Sequence, residues 1–123
     1  MPKSILIADD NAGVRSLIRA YLEMQPEFEI CGEAEDGVDA VERVKDLKPD
    51  LILLDLSMPR MNGAEAASII KSMLPNVPIV LFSVFGEKIG KALASAVGVD
   101  IVLSKPDGIG DLVKCVKNLL DVT

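Results

Sequence analysis

Short runs of apolar residues alternate along the chain with longer stretches in which apolar residues recur every three or four positions. The short runs predict buried β-strands, and the longer stretches predict amphipathic helices. The predicted strands are Ser4–Ala8, Phe28–Glu33, Leu51–Leu54, Ile79–Phe82 and Ile101–Ser104. A helical stretch follows each strand, which gives five strand–helix units in succession. This alternation predicts an α/β fold with a parallel sheet.

The apolar positions of the predicted helices mark the side that faces the sheet. Four helices are defined by such positions: Val14, Leu17, Ile18, Tyr21 and Leu22; Val38, Val41, Val44 and Leu47; Ile89, Ala92, Leu93, Ala96 and Val97; Leu112, Val116, Leu119 and Leu120. The third helix of the chain follows a loop from Ser57 to Gly63 and extends to Met73. Right-handed crossovers put helices on both faces of a parallel sheet, so groups at the carboxyl ends of the strands share one edge.

Length and charge restrict the class of protein. The 123 residues fit one compact domain, residues 1–123. A net charge of −6 and a pI near 4.6 argue against direct binding to nucleic acid or to an anionic membrane surface. No apolar stretch approaches the roughly 20 residues of a membrane span, and the amino terminus lacks a signal-peptide pattern. We therefore expect a cytoplasmic protein.

The residue types exclude several chemistries. The chain has no histidine, which removes histidine-based general base catalysis and most zinc sites. Cys31 and Cys115 lie far apart, without the spacing of a disulfide framework or a zinc site, and we expect both to be reduced, buried thiols.

Reactive polar residues stand at the ends of four predicted strands: Asp9 and Asp10, Asp55, Ser83, and Lys105. Alone, each has an ordinary interpretation, because Asp caps helices and most lysines are solvated. Three carboxylates at one sheet edge would repel each other unless a cation or proton intervened. Oxygen ligands suit Mg²⁺ or Mn²⁺, of which we assign Mg²⁺.

Phosphoryl transfer explains the combination of these groups. Asp55 could attack an activated phosphoryl group and form an acyl phosphate. Lys105 would offset the charge of the phosphoryl oxygens, and Ser83 would bond one of them or merely satisfy local backbone.

The ordered set resembles the response-regulator receiver domains of two-component signalling. The resemblance covers residues 3 to 121 and rests on four segments: Ile5 to Asn11, Pro49 to Gly63, Ser83, and Lys105-Pro106. It implies a flavodoxin-like fold, that is, a doubly wound five-stranded parallel sheet of order 2-1-3-4-5 with five flanking helices. It also implies a regulatory phosphoacceptor that is not an enzyme acting on external substrates.

The resemblance further implies a role for each site residue. Asp55 would be the phosphoacceptor, and Asp9, Asp10, Asp55 and the backbone carbonyl of Ser57 would bind Mg²⁺. Ser83 and Lys105 would contact the phosphate. The donor would be a sensor histidine kinase or a phosphotransfer protein, which would meet the exposed side of the first helix. A homodimer partner or an output domain would bind the fourth helix, fifth strand and fifth helix.

Val102 and Val84 differ from the usual family pattern, and Phe85 could compensate for the first of these differences. Val102 stands where an aromatic residue usually couples phosphorylation to the surface, and Phe85 is a candidate substitute. Val84 follows Ser83 at a position where such domains usually have a small residue. We therefore expect slower phosphorylation by small donors, or slower hydrolysis, than in a Val84→Ala variant. Two alternative functions follow, a constitutive scaffold with weak switching and a metal-dependent phosphohydrolase. The second lacks an Asp-x-Asp motif after the first strand and an insertion large enough to form a cap.

Overall fold

The computed structural model describes residues 2–83, 101–104 and 109–120, with the side chains of residues 2–81, 112–114 and 116–120. The strands are β1 (Lys3–Ala8), β2 (Phe28–Ala34), β3 (Leu51–Asp55), β4 (Ile79–Ser83) and β5 (Ile101–Ser104). The helices within the described ranges are α1 (Ala12–Glu23), α2 (Gly37–Leu47), α3 (Gly63–Met73) and α4 (Ile109–Leu119). All strand pairs are parallel, in the order β2-β1-β3-β4-β5.

The predicted α/β fold with a parallel sheet and flanking helices is confirmed. Each predicted strand agrees with an observed strand to within one residue at either end. The fourth predicted helix, from Ile89 to Val97, lies outside the described residues, and α4 corresponds to the fifth predicted helix. Among the described helices, none is both long and apolar enough to cross a membrane.

Two apolar layers enclose the sheet, because successive strand side chains point to opposite faces. On one face, Ile5 and Ile7 of β1 pack with Ile18 and Leu22 of α1 and with residues of α4. On the other face, Leu6 and Ala8 belong to a cluster that includes residues of α2 and α3. Burial of each aliphatic side chain contributes about 1.5–3 kcal/mol. The buried layers therefore hold the strand ends, and the residues that follow them, in fixed positions.

The core-facing stripe of α1 is narrower than its apolar pattern predicts. Ile18 and Leu22 are buried, whereas Leu17 and Tyr21 are 46% and 42% exposed. Successive helical residues are rotated by about 100°, so Leu17 and Tyr21 form a row beside the one that faces the sheet. Cys31 is a free thiol, as predicted, but it is only partly buried, and the side chain of Cys115 lies outside the described residues.

Side-chain caps determine where three helices begin. Asn11, Asp36 and Asn62 accept hydrogen bonds from backbone N–H groups in the first turns of α1, α2 and α3. Asn62 also forms a reciprocal capping box with Glu65. Such caps satisfy backbone donors that have no partner inside the helix. They therefore fix the short connections that carry the candidate site residues.

Candidate functional site

The register of the central strands brings Asp9 and Asp55 to the same level of the sheet. Ala8 pairs with Leu54, so the next residue of each strand lies at the shared carboxyl edge. Asp9 is fully buried and Asp55 is 4% exposed, whereas Asp10 is exposed. The two buried acids therefore point inward while the third faces solvent.

The register of the outer strands continues this edge. Asp55 pairs with Phe82, which places Ser83 one residue further along β4. Ser83 in turn pairs with Ser104, the residue that precedes Lys105 in the chain. The backbone of Ser83 thus lies at the carboxyl edge, as predicted. Its side chain and the whole of Lys105 are outside the described part of the structure.

Asp9, Asp10 and Asp55 form a cluster of carboxylates. One oxygen from each residue lies within 4.8 Å of the others. Oxygens on opposite sides of an octahedral Mg²⁺ are about 4.2 Å apart, since each Mg–O bond is about 2.1 Å. Adjacent oxygens on such an ion are about 3.0 Å apart, so the three carboxylates would draw closer together to bind one ion. The donor set and its spacing therefore fit a small divalent cation that retains water ligands.

Three hydrogen bonds fix the position of Asp9. Its N–H donates to the Ala34 carbonyl oxygen at 3.0 Å, continuing the pairing of β1 with β2. The Asn11 N–H donates to Asp9 Oδ1 at 2.9 Å. The Arg15 guanidinium donates to the Asp9 carbonyl oxygen at 2.5 Å. Both the backbone and the carboxylate of Asp9 are thus held before any cation binds.

The loop after β3 closes tightly around Asp55. The Ser57 N–H donates to Asp55 Oδ1 at 3.3 Å, and the Gly63 N–H donates to the Leu56 carbonyl oxygen at 2.9 Å. A Cβ atom on residue 63 would lie 2.9 Å from the Asp55 carbonyl carbon. Only glycine therefore lets α3 begin so close to the end of β3.

The same loop is attached to the start of α2. The Met61 N–H donates to the Pro59 carbonyl oxygen at 2.7 Å, and Arg60 between them has a φ of 65°. This is a γ-turn with a left-handed central residue. The Gly37 N–H donates to the Met61 carbonyl oxygen at 3.0 Å, and Arg60 Nε lies 3.5 Å from an Asp36 oxygen. The site loop therefore cannot move independently of α2.

An ionic network lies next to the carboxylate cluster. The Glu33 carboxylate accepts hydrogen bonds from Arg15 Nε at 3.1 Å and from Arg19 Nη1 at 2.6 Å. Desolvation raises the pKa of Glu33, but the hydrogen bonds and charges of the two arginines outweigh it and leave that pKa below its ordinary value. The hydrogen bond to Glu33 raises the pKa of Arg19. The network ties α1 to the end of β2.

Sequence reasoning did not identify Arg15 or Glu33 as parts of this region, and it included Gly63 in the motif from Pro49 to Gly63 without giving it a role. The basic residues Arg15 and Arg19, four positions apart on one helix, were a visible signal. The partner acid is eighteen residues from Arg15 along the chain, and only strand pairing brings it close. Val84 and Phe85 lie outside the described residues, and Val102 is described only through the backbone of β5.

The fold and the site together define a parallel α/β domain with three carboxylates at the carboxyl edge of its sheet. The model of the response regulator receiver domain family matches residues 5–117, and the chain belongs to this family. The resemblance predicted from the sequence is confirmed.

Similarity to individual proteins agrees with this assignment. Response regulator protein VraR of Staphylococcus saprophyticus is 38% identical over 119 residues, covering 95% of this chain and 56% of that protein. Chemotaxis protein CheY of Halobacterium salinarum is 40% identical over 106 residues, covering 86% of this chain and 87% of that protein. The chain thus spans about half the length of VraR and most of CheY.

A solved structure supports the fold assignment. The response regulator domain of Thermotoga maritima CheB superposes with a TM-score of 0.90 at 26% identity, covering 100% of this chain and 99% of that one. The similarity therefore extends over the whole parallel sheet and its flanking helices.

Proposed function

We propose that this receiver domain is a phosphorylation switch in which Asp55 accepts a phosphoryl group. The observation that carries the proposal is the convergence of Asp9, Asp10 and Asp55, whose carboxylate oxygens lie within 4.8 Å of one another. Family membership supports the same conclusion. The domain acts as a regulatory component of two-component signalling and does not turn over an external substrate.

The transfer forms one bond and breaks another. A carboxylate oxygen of Asp55 attacks phosphorus of a phosphohistidine on a sensor kinase or phosphotransfer protein. The new P–O bond gives an acyl phosphate, while the broken P–N bond leaves its electron pair on the imidazole, which takes a proton from solvent. Attack by water on the acyl phosphate later releases inorganic phosphate and restores the Asp55 carboxylate.

Each neighbouring group has a defined task in this proposal. Asp9, Asp10, Asp55 and the Ser57 carbonyl would hold Mg²⁺, with Mn²⁺ as the alternative ion, and the bound ion would neutralise part of the phosphoryl charge. Ser83 and Lys105 contact the phosphoryl oxygens. The hydrogen bond from the Ser57 N–H to Asp55 Oδ1 orients the carboxylate.

The output is a change in a protein surface. Phosphorylation shifts an equilibrium between two conformations, and the helix–strand–helix surface at the fourth predicted helix, β5 and α4 binds a second copy or an output domain. The location is cytoplasmic, with residues 1–123 acting as one domain without direct contact to nucleic acid or membrane. The family match favours neither a phosphohydrolase nor a constitutive scaffold.

Intact-mass spectrometry after incubation with acetyl phosphate or phosphoramidate tests this function. We expect one phosphate adduct on the wild-type protein in the presence of Mg²⁺ and none after chelation. Asp55→Asn should carry no adduct, whereas the control Asp46→Asn, which changes an exposed acid of α2, should be phosphorylated normally. An equal adduct on Asp55→Asn would refute the assignment of the phosphoacceptor.

A further inference from the structure

The Arg15 side chain connects the proposed metal-binding acids to the edge of the sheet. It is only 12% exposed, although it carries a permanent charge. One terminal nitrogen donates to the Asp9 carbonyl oxygen at 2.5 Å, and Nε donates to Glu33 at 3.1 Å. The other terminal nitrogen lies 3.9 Å from a Glu35 oxygen. A single guanidinium is thus shared between the end of β1 and the end of β2.

The group that Arg15 contacts on Asp9 has a special position. The Asp9 carbonyl belongs to the peptide unit that joins Asp9 to Asp10. A peptide unit is planar, so the direction of its carbonyl fixes the backbone orientation of both residues it links. Holding this oxygen therefore determines where the two carboxylates project relative to Asp55.

The orientation of Arg15 is itself fixed. Glu33 accepts a hydrogen bond from Arg15 and another from Arg19, whose Nη1 lies 2.6 Å from the second Glu33 oxygen. Hydrogen bonds between charged groups are stronger than neutral ones, and the planar guanidinium binds two acceptors in a fixed geometry. A lysine at position 15 would carry the same charge but would lack this planar arrangement of donors.

We propose that Arg15 is a positioning residue, which orients the Asp9–Asp10 peptide so that its carboxylates bind a divalent cation together with Asp55. The proposal rests on the metal site of the proposed function. Residues that orient metal ligands typically change metal affinity about 10–100-fold when mutated. Arg15 acts through the backbone of its target, so we expect a loss of about tenfold, at the lower end of that range.

The charge of Arg15 and its positioning role predict opposite effects of its removal on the affinity for Mg²⁺. A positive charge near the acids repels a cation, so if Arg15 acts only through its charge, its removal would strengthen Mg²⁺ binding. If it positions the acids, removal weakens binding. Calorimetric titration with Mg²⁺ of the wild type, Arg15→Gln and Arg15→Lys separates the two effects.

The matched control is Arg19→Gln. Arg19 also pairs with Glu33, but its hydrogen bonds go to Glu33 and Glu23. We expect Arg15→Gln and Arg15→Lys to bind Mg²⁺ about tenfold more weakly, with Arg19→Gln within about twofold of the wild type. Unfolding temperatures measured without Mg²⁺ establish that each variant is folded at the titration temperature. If Arg15→Gln does not fold, the Mg²⁺ affinity of Arg15→Lys tests the inference.

Several results would overturn the inference. They are unchanged or tighter binding by Arg15→Gln, wild-type affinity in Arg15→Lys, and an equal loss in Arg19→Gln. These outcomes leave the proposed phosphorylation of Asp55 intact. Failure of the wild type itself to bind Mg²⁺ would overturn both this inference and the metal dependence of the proposed function.

Discussion

The backbone of Gly63, at the start of α3, packs directly against the carbonyl group of Asp55. A Cβ atom at position 63 would overlap the Asp55 carbonyl oxygen and lie 2.9 Å from its carbon and from Leu81 Cδ1. Backbone atoms at the end of a central strand cannot move aside. The start of α3 and the candidate phosphoacceptor are therefore built as one unit.

We predict that Gly63→Ala destabilises the protein by about 1–3 kcal/mol, because it overpacks a rigid backbone contact. Urea unfolding measures the change. The control is Gly32→Ala, whose Cβ would meet Leu47 Cδ1 at 2.7 Å. That atom ends a flexible side chain that is 39% exposed, so we expect a cost below about 1 kcal/mol. Equal costs for the two substitutions would contradict this interpretation.

Mg²⁺ should stabilise the wild-type protein through the carboxylate cluster. At a concentration 100 times its dissociation constant, a ligand that binds only the folded state adds about 2.7 kcal/mol. Asp10→Asn removes one exposed member of the cluster and should lose most of the Mg²⁺-dependent rise in unfolding temperature. Asp46→Asn makes the same charge change on α2 and should keep the full rise. A similar response of both variants to Mg²⁺ would exclude Asp10 as a ligand.

The pKa of Glu33 predicts a pH-dependent contribution to stability. Its folded-state pKa is below the ordinary value of 4.5, because Arg19 and Arg15 together outweigh desolvation. The contribution is therefore complete above about pH 4.5 and disappears as the pH falls through the folded-state pKa. The partly exposed ion pairs suggest a contribution of about 0.5–1 kcal/mol.

Denaturant unfolding of the wild type and Glu33→Gln across the acid range tests whether the stabilising contribution of Glu33 is lost as the pH falls. We expect Glu33→Gln to be less stable at pH 7 and the difference to shrink below about pH 4. Glu29→Gln, an exposed position on the same strand, should show little difference at either pH. A difference that grows on acidification would contradict the prediction.

The left-handed conformation of Arg60 predicts an unusual preference for glycine. A φ of 65° strains any residue with a Cβ, while glycine adopts it freely. Arg60→Gly and Arg60→Ala both lose the exposed ion pair to Asp36, so the comparison isolates the backbone. We expect the glycine variant to be more stable than the alanine variant by about 1 kcal/mol in urea unfolding.

Ser68 provides the reference for this comparison. It is an exposed residue inside α3, where alanine should be more stable than glycine by about 1 kcal/mol. The order of stability should thus reverse between positions 60 and 68. The same order at both positions would show that the turn relaxes when Arg60 is replaced.

The predictions from sequence were most successful where the signal was local. The strand Ile101–Ser104 was predicted with the bounds that the structure gives, and Leu51–Leu54 is one residue shorter than β3. Alternation of apolar runs and helical stripes is visible within a dozen residues. The predicted apolar stripe of α1 was too wide, because periodicity does not determine how the helix is rotated about its axis relative to the sheet.

The sequence by itself determined the order of strands and helices along the chain and the acidic residues that terminate β1 and β3. The tertiary structure decided three further features. They are the register that aligns Ala8 with Leu54, the contact of Gly63 with Asp55, and the hydrogen bond from Arg15 to the Asp9 carbonyl oxygen. The physical reason is the range of each interaction. Backbone preference and apolar spacing act between near neighbours, whereas pairing of distant groups depends on how the whole sheet assembles.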